Sequence, residues 1–484
     1  MPPPIGCYNS HVSAIRHIVL SDLHLGALNS VLTNVAAGGG DVDVSAPAAS
    51  LTALGGCLRS LAGGAEPPEL IVLGDLFELA LTPLDDAAGT FTHFVRAVGI
   101  GEHDGAVAPH VHYVAGNHDH QLWTRARLDQ ETALLEQAAS SDPLLDAPHV
   151  TPMFPGGGTP VRSRFVEALV RRAETAGEVT VTHTYPNLAV AGPADQIVVM
   201  HHGHFVERLY RIVSSLDDLF GPPAFGRTVA DLESDNAGWI DFFWSSEGDS
   251  GDAGTDVRMI YESLVSGRTI DDELARLGTL LVRTKRRPTG AVLRWIVERA
   301  VRRAYRRVGR AERHDGGGAL SADAEAGLAM YLSGPVATEL RSVYGTPPAD
   351  TTFVFGHTHK PFVSTRDVAG YPRPLAVVNT GGWVVDHPEP EPLKGATAVL
   401  LDDHANVIAV ELYRQRPDGT AEPPVVEPVS ASSLPFADAV RARIDDDPHP
   451  WAEFTQAVST ALGARRQQLQ ERESATRRMV DDSK

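Results

Sequence analysis

Arg16-His17-Ile18-Val19-Leu20-Ser21-Asp22-Leu23-His24-Leu25-Gly26 is the stretch that decides the fold. A short apolar run stops abruptly in Ser21, Asp22 and His24. A run of that length, bounded by polar residues, reads as a buried strand. The pattern recurs twice. Leu70-Ile71-Val72-Leu73 precedes Gly74-Asp75, and Val111-His112-Tyr113-Val114 precedes Gly116-Asn117. Helical patterns over 49–62 and 87–99 lie between these runs. The alternation predicts an α/β sheet buried on both faces. Further strands are predicted over 179–183, 197–200, 352–355, 375–379, 396–401 and 406–412, with Asp402-Asp403-His404-Ala405-Asn406 as a hairpin loop.

Five polar clusters stand where strands are predicted to end. They are Asp22-Leu23-His24, Gly74-Asp75-Leu76-Phe77-Glu78, Gly116-Asn117-His118-Asp119, His201-His202-Gly203-His204 and Gly356-His357-Thr358-His359. Ligands of open α/β sheets sit beyond the carboxyl ends of the strands, so the clusters are expected to converge. Their side chains offer oxygen and imidazole but no thiolate. That set suits Mn, Fe or Zn and is poor for Cu(I) or iron–sulfur clusters. The two histidines of a His-x-His segment project to one side of an extended chain. A carboxylate such as Asp75 can bridge two ions ~3.5–4 Å apart, the spacing of in-line phosphoryl chemistry.

In this order the clusters resemble the calcineurin-like metallophosphoesterases, whose pattern is D-x-H, GD, GNH[DE], H and GHxH. The resemblance spans 16–203 and 351–412. It implies an α/β fold, a four-layer two-sheet sandwich of that type with a large helical insertion, and a pair of divalent metal ions at one edge. It implies that Asp22, His24, Asp75 and His359 hold one ion. Asp75 would bridge to a second, held by Asn117, His357 and either His201 or His202. The activity implied is hydrolysis of a phosphodiester, pyrophosphate or phosphomonoester by a metal-bridging hydroxide. His118 would then serve as general acid or transition-state stabiliser, with Asp119 orienting it by accepting its other ring proton. Ser21–Gly26 and Gly74–Glu78 also look like the UDP-2,3-diacylglucosamine hydrolase branch. That branch usually carries Arg where this chain has His118. Asn379-Thr380-Gly381-Gly382-Trp383 resembles a late strand and turn of the same broad family, and its bland reading is a turn with a buried Trp.

The rest of the chain bounds these expectations. At 484 residues it has room for two to four units. Hydrophobic residues make up 43% and charged residues 21%, which excludes disorder throughout. Two cysteines, Cys7 and Cys57, exclude a disulfide scaffold and a thiolate-rich zinc site. Residues 1–15 read as a loose leader without the pattern of a secretory signal. No apolar run reaches the ~20 residues of a membrane span, so a cytoplasmic location is expected. Residues 204–350 read as a helical insertion, a lid or cap, with helices over 205–219 and 291–310. Residues 413–484 read as a peripheral C-terminal extension, Pro-rich and then weakly helical.

Residues 283–313 hold twelve Lys/Arg against two acids, in a chain whose formal net charge is −20. On the 291–310 helix, Arg299, Arg302, Arg303, Arg306, Arg307 and Arg310 oppose an apolar face. Three readings stand: a solvated face, a lid that collects an anionic substrate, or peripheral contact with an anionic membrane. The apolar side of 205–219 is either a packing face or a hydrophobic wall beside the metals. The expected partner is a phosphorylated small molecule or lipid-linked substrate. Overall negative charge argues against nucleic acid and the arginine island argues mildly for a nuclease. A non-catalytic scaffold on the same fold is the reading from another class, and the complete set of candidate ligands counts against it.

Overall fold

The apolar runs become strands because each is too short for a helix and ends in residues that break pairing. The computed structural model describes residues 14–62, 66–138, 148–174, 177–193, 195–211, 213–214, 227–241 and 318–482. Its strands are Ile15–Leu20 (β1), Glu69–Leu73 (β2), His110–Val114 (β3), Val161–Arg162 (β4), Thr180–His183 (β5), Asn187–Ala191 (β6), Gln196–His201 (β7), Asp350–Phe355 (β8), Phe362–Arg366 (β9), Leu375–Asn379 (β10), Gly395–Asp402 (β11), Val407–Arg414 (β12) and Val425–Pro428 (β13). They form two mixed sheets. The larger has the order β13-β12-β11-β1-β2-β3-β5-β4, and the smaller β6-β7-β8-β10-β9. In the larger, β1, β2, β3 and β5 run parallel. In the smaller, β7, β8 and β10 do.

Alternation along the strands of the smaller sheet explains its two faces. Leu188, Val198, Met200, Val354 and Val378 join the core of the larger sheet. Their neighbours Ala189, Ile197, Val199, Phe353, Phe355 and Val377 turn the other way. There they meet Leu328, Tyr331, Leu332, Val336 and Leu340, from the helical segment 322–344. Helices Ala49–Leu61 and Leu84–Val98 supply Leu51, Leu54, Phe91 and Phe94 to the core of the larger sheet. The arrangement is that of an α/β sandwich.

Two expectations change. The stretch 205–219 is not one regular helix among the described residues. It begins as 3-10 turns over His204–Val206 and Arg208–Arg211, with Phe205, Val206 and Tyr210 buried in the outer core of the smaller sheet. Those side chains pack rather than line an open wall. The basic helix 291–310, and the arginine island with it, lies outside the described residues.

The chain after Arg414 is not peripheral. Strand β13 pairs with β12 and widens the larger sheet. Helices Leu434–Asp446 and His449–Asp482 follow. Phe436, Val440, Trp451, Phe454, Val458 and Leu462 are buried in the main core. Trp451 Nε1 also donates to Ser60 Oγ at 3.1 Å, on the first helix of the chain. The apolar residues of this tail are sparse and separated by charge. That spacing suits a one-sided packing helix as well as a solvated one, so only a partner surface decides.

Phe454 is fully buried between these layers. Phe454→Ala is expected to cost about 3–5 kcal/mol, read as a lower denaturant midpoint with an unchanged slope. A loss well below 1 kcal/mol would return the tail to the periphery.

Candidate metal centre

The parallel strands put their carboxyl ends along one rim. Asp22 follows β1, Asp75 follows β2, Asn117 and His118 follow β3, His202 follows β7, and His357 and His359 follow β8. Backbone contacts join the two sheets at that rim. The His357 amide donates to Asp22 Oδ1 at 2.9 Å, and His202 Nδ1 donates to the Leu73 carbonyl at 3.0 Å. Ser21 and Thr380 share a hydrogen bond, and Ser21 Oγ donates to Asp22 Oδ2.

The local backbone is unusual where it matters. Asp22, His24, Asp75, His357 and His359 have φ of 53°, 45°, 50°, 71° and 57°. Left-handed backbone is costly for residues other than glycine, and it clusters at functional sites. The glycines of the motifs serve close approach. A Cβ on Gly74 (φ +81°) would stand 2.3 Å from His202 Nδ1, and one on Gly356 would stand 2.2 Å from Asp22 Oδ2.

Two trios of side chains result. Asp22, His24 and His359 can place ligand atoms within 4.8 Å of one another, and so can Asp75, His202 and His357. Asp75 lies between them. Its Oδ2 is 3.2 Å from His202 Nε2 and 3.7 Å from His24 Nε2. His359 Nε2 is 3.4 Å from Asp22 Oδ1. Asn117 Oδ1 is 3.1 Å from His202 Nε2, while its amide donates to Tyr210 Oη at 3.1 Å. His24, Asp75 and His118 form a further group of the same kind. The donors fit a divalent cation. His24 Nε2 is buried without a hydrogen-bond partner, and the clustered oxygen and imidazole donors could hold metal ions.

Electrostatics match this reading. Burial opposes ionisation of Asp75, yet His202, His118 and His24 hold its carboxyl well below the usual range. Asp22 is lowered against burial by His359 and His202. Burial likewise disfavours charge on His24, but Glu78 and Asp75 outweigh it and raise its pKa to about 9. His202 rises to about 10 against burial, chiefly through Asp75. The carboxylates therefore demand positive charge, and without cations the imidazoles carry it.

The structure separates the two histidines of the fourth cluster. His202 points at Asp75. His201 turns away: its Nδ1 accepts the Gly203 amide at 2.8 Å, and its ring packs on Phe205 and Tyr331. Successive residues at a strand end face opposite sides, so only one of the pair can reach the rim. His201 is therefore removed from the candidate ligands.

Asp119 is a second correction. Its Oδ1 accepts the Gly116 amide at 2.7 Å. Its Oδ2 accepts the Leu76 amide at 2.8 Å and the Tyr113 hydroxyl at 2.5 Å. These contacts pin the turn, and none of them reaches the His118 ring. Glu78 does: Oε1 is 2.8 Å from His118 Nδ1, and Oε2 is 2.9 Å from His24 Nδ1. One buried carboxylate thus orients two imidazoles. His118 and His24 hold Glu78 at about 2 despite its burial. Glu78 stands in the second cluster, but its spacing from Asp75 gives no sign of the double contact. Glu207, 3.0 Å from His357 Nε2, was equally hidden.

No protein-family model matches the chain, and no curated protein matches it. Among solved structures, the chain is similar to a phosphopantetheinyl hydrolase (PptH) from Mycobacterium tuberculosis. The match covers 77% of this chain and 90% of that one, at 15% identity and a TM-score of 0.23. A likeness at that level carries no argument, and the functional reading rests on the residues. Among the described residues, no helix is long and apolar enough to cross a membrane.

Beside the rim, His120 anchors the helix Val229–Ile240. Its Nδ1 donates to Asp241 Oδ1 at 2.7 Å and its Nε2 to Glu233 Oε1 at 3.0 Å. Burial opposes the charge, but Glu233 and Asp241 raise the pKa from 6.5 to about 10. The raised value means that the contact stabilises fully below pH 6.5 and is lost as pH rises through about 10. Amide hydrogen exchange over 229–240 is expected to be slow at neutral pH and faster in His120→Gln. Equal protection in the two proteins would show that the pair does not hold this helix.

Proposed function

We propose that this rim is the two-metal centre of a phosphohydrolase. The observation that carries the reading is Asp75, a buried carboxylate of one trio that also lies 3.7 Å from His24 of the other. Asp22, His24 and His359 would hold one divalent ion, with His202, His357 and Asn117 holding the other and Asp75 shared. Bound there, the pair would supply neutralisation of a phosphate oxyanion and activation of water. The calcineurin-like assignment, and the choice among phosphodiester, pyrophosphate and phosphomonoester, belong to this proposal. A phosphorylated small molecule or lipid-linked substrate is the proposed partner.

The chain's own residues complete the chemistry. Glu78 accepts the Nδ1 protons of His24 and His118 and so orients both rings. For His24 that fixes the ligand tautomer. For His118 it fixes the orientation of the ring proposed to protonate a leaving alkoxide. His118 is the proposed general acid, and Glu78 positions it in the role first expected of Asp119. Backbone amides of His357 and His118 donate to the carboxylates of Asp22 and Asp75.

Metal-free protein supplied with Mn²⁺ is expected to hydrolyse a chromogenic bis-aryl phosphodiester. Asp75→Asn should lower bound metal and abolish turnover together. His118→Ala should cut turnover by ~10²–10⁴-fold while metal content, measured by elemental analysis, is largely spared. Loss of metal from His118→Ala would make His118 a ligand. Glu78→Gln should lower turnover, because the charged acceptor that orients the His118 and His24 rings is lost. Metal-replete wild type that turns over no phosphoester would leave a binding protein on this fold.

A further inference from the structure

The same three parallel strands carry a second group of metal-type side chains, at their opposite ends. His17 lies near the start of β1, Glu69 opens β2, and His110 and His112 lie on β3. Parallel register sets His17 beside Glu69. His110 and His112 are two residues apart on one strand and so project to one face.

Glu69 is the centre of this group. His112 Nε2 is 2.9 Å from Glu69 Oε2, and His17 Nε2 is 3.8 Å from the same oxygen. Ligand atoms of His17, Glu69 and His112 all lie within 4.8 Å of one another. A tetrahedral ion with bonds of ~2.0–2.1 Å holds its donors ~3.3 Å apart, a spacing these contacts bracket. His110 Nδ1 is 3.4 Å from the other oxygen, Oε1, and its Nε2 is 3.0 Å from Thr182 Oγ1. His17 Nδ1 and His112 Nδ1 are buried without hydrogen-bond partners. Each ring thus turns its Nε2 to Glu69 and leaves only Nδ1 without a partner. The side chain of Glu69 is 32% exposed and that of His110 34%, so an ion can enter from solvent.

We propose that His17, Glu69 and His112 bind a zinc ion at a site separate from the catalytic rim. His110 is a positioning residue that holds the second Glu69 oxygen. Two imidazoles, one carboxylate and an open fourth position form a donor set that zinc accepts. Five to six residues separate each member from the rim residue on its own strand, about 16–20 Å at ~3.3 Å per residue. An ion here would tie together the amino ends of the three strands whose carboxyl ends carry Asp22, Asp75 and Asn117. The charge states agree with the geometry. Burial lowers His17 to about 4, leaving it neutral, while hydrogen bonds from His110 and His112 hold Glu69 well below the usual carboxylate range.

The test uses the full chain stripped of metal and dialysed against zinc, with bound zinc counted by elemental analysis. Wild type is expected to hold one more equivalent than Glu69→Gln or His17→Asn. Each variant should weaken binding at this site by ~10–100-fold or more. Circular dichroism confirms that the variants are folded. Equal zinc content in all three proteins overturns the proposal, whatever the rim binds. A second measurement needs no variant. Histidine modification by diethyl pyrocarbonate, mapped by mass spectrometry in wild type, should fall at His17 and His112 when zinc is present. Unchanged labelling of both overturns the proposal.

Discussion

Two ionised carboxylates, Asp22 and Asp75, are buried where the two sheets meet, and the surrounding structure compensates them. Isolated buried charge is costly enough that a carboxyl would rather neutralise than stay ionised. Both nevertheless remain below the usual carboxylate range, because amides and imidazoles surround them. The amide that reaches Asp22 comes from His357, on the other sheet, and the amide that reaches Asp75 comes from His118. Opening the sandwich would strip Asp22 of that donor. Fold and site are therefore stabilised by the same contacts.

The site also carries a backbone cost. Five left-handed residues that are not glycine, each strained by ~1–3 kcal/mol, persist only if the surroundings over-determine them. The surroundings here are the strand ends above and the glycines beside, where the carboxylate of Asp22 and the ring of His202 occupy the space of a missing Cβ. A turn with no site to build has no need of such strain. Concentrated at the same residues as the Asp and His donors, it supports the reading of the rim as a functional centre.

Other elements then acquire roles from where they pack. His120, one residue past the third cluster, pins the helix 229–240 to the rim through two carboxylates. Tyr210, in the segment after the fourth cluster, takes the second hydrogen bond of Asn117. The C-terminal helix covers the first helix of the chain and buries Trp451 and Phe454.

Much of this was legible in the sequence. Short apolar runs ending in polar residues located nine of the thirteen described strands, because burial on both faces leaves a strand no room for other residue types. The four that escaped, Val161–Arg162, Asn187–Ala191, Phe362–Arg366 and Val425–Pro428, are the edge strands of the two sheets. The order of Asp, Asn and His clusters identified the side chains at the rim, since parallel strands place their carboxyl ends together. Tertiary structure alone decided the remainder. A linear sequence does not show which of His201 and His202 faces Asp75; strand orientation against a neighbouring sheet does. It assigns His118 no partner. Asp119 is adjacent in sequence, yet backbone amides and Tyr113 claim it, and Glu78, forty residues earlier, reaches the imidazole. Sequence determined which chemistry the chain carries to the strand ends. Only the packing of two sheets decided which atoms meet there, because a hydrogen bond depends on distance and direction, and neither is written in the order of residues.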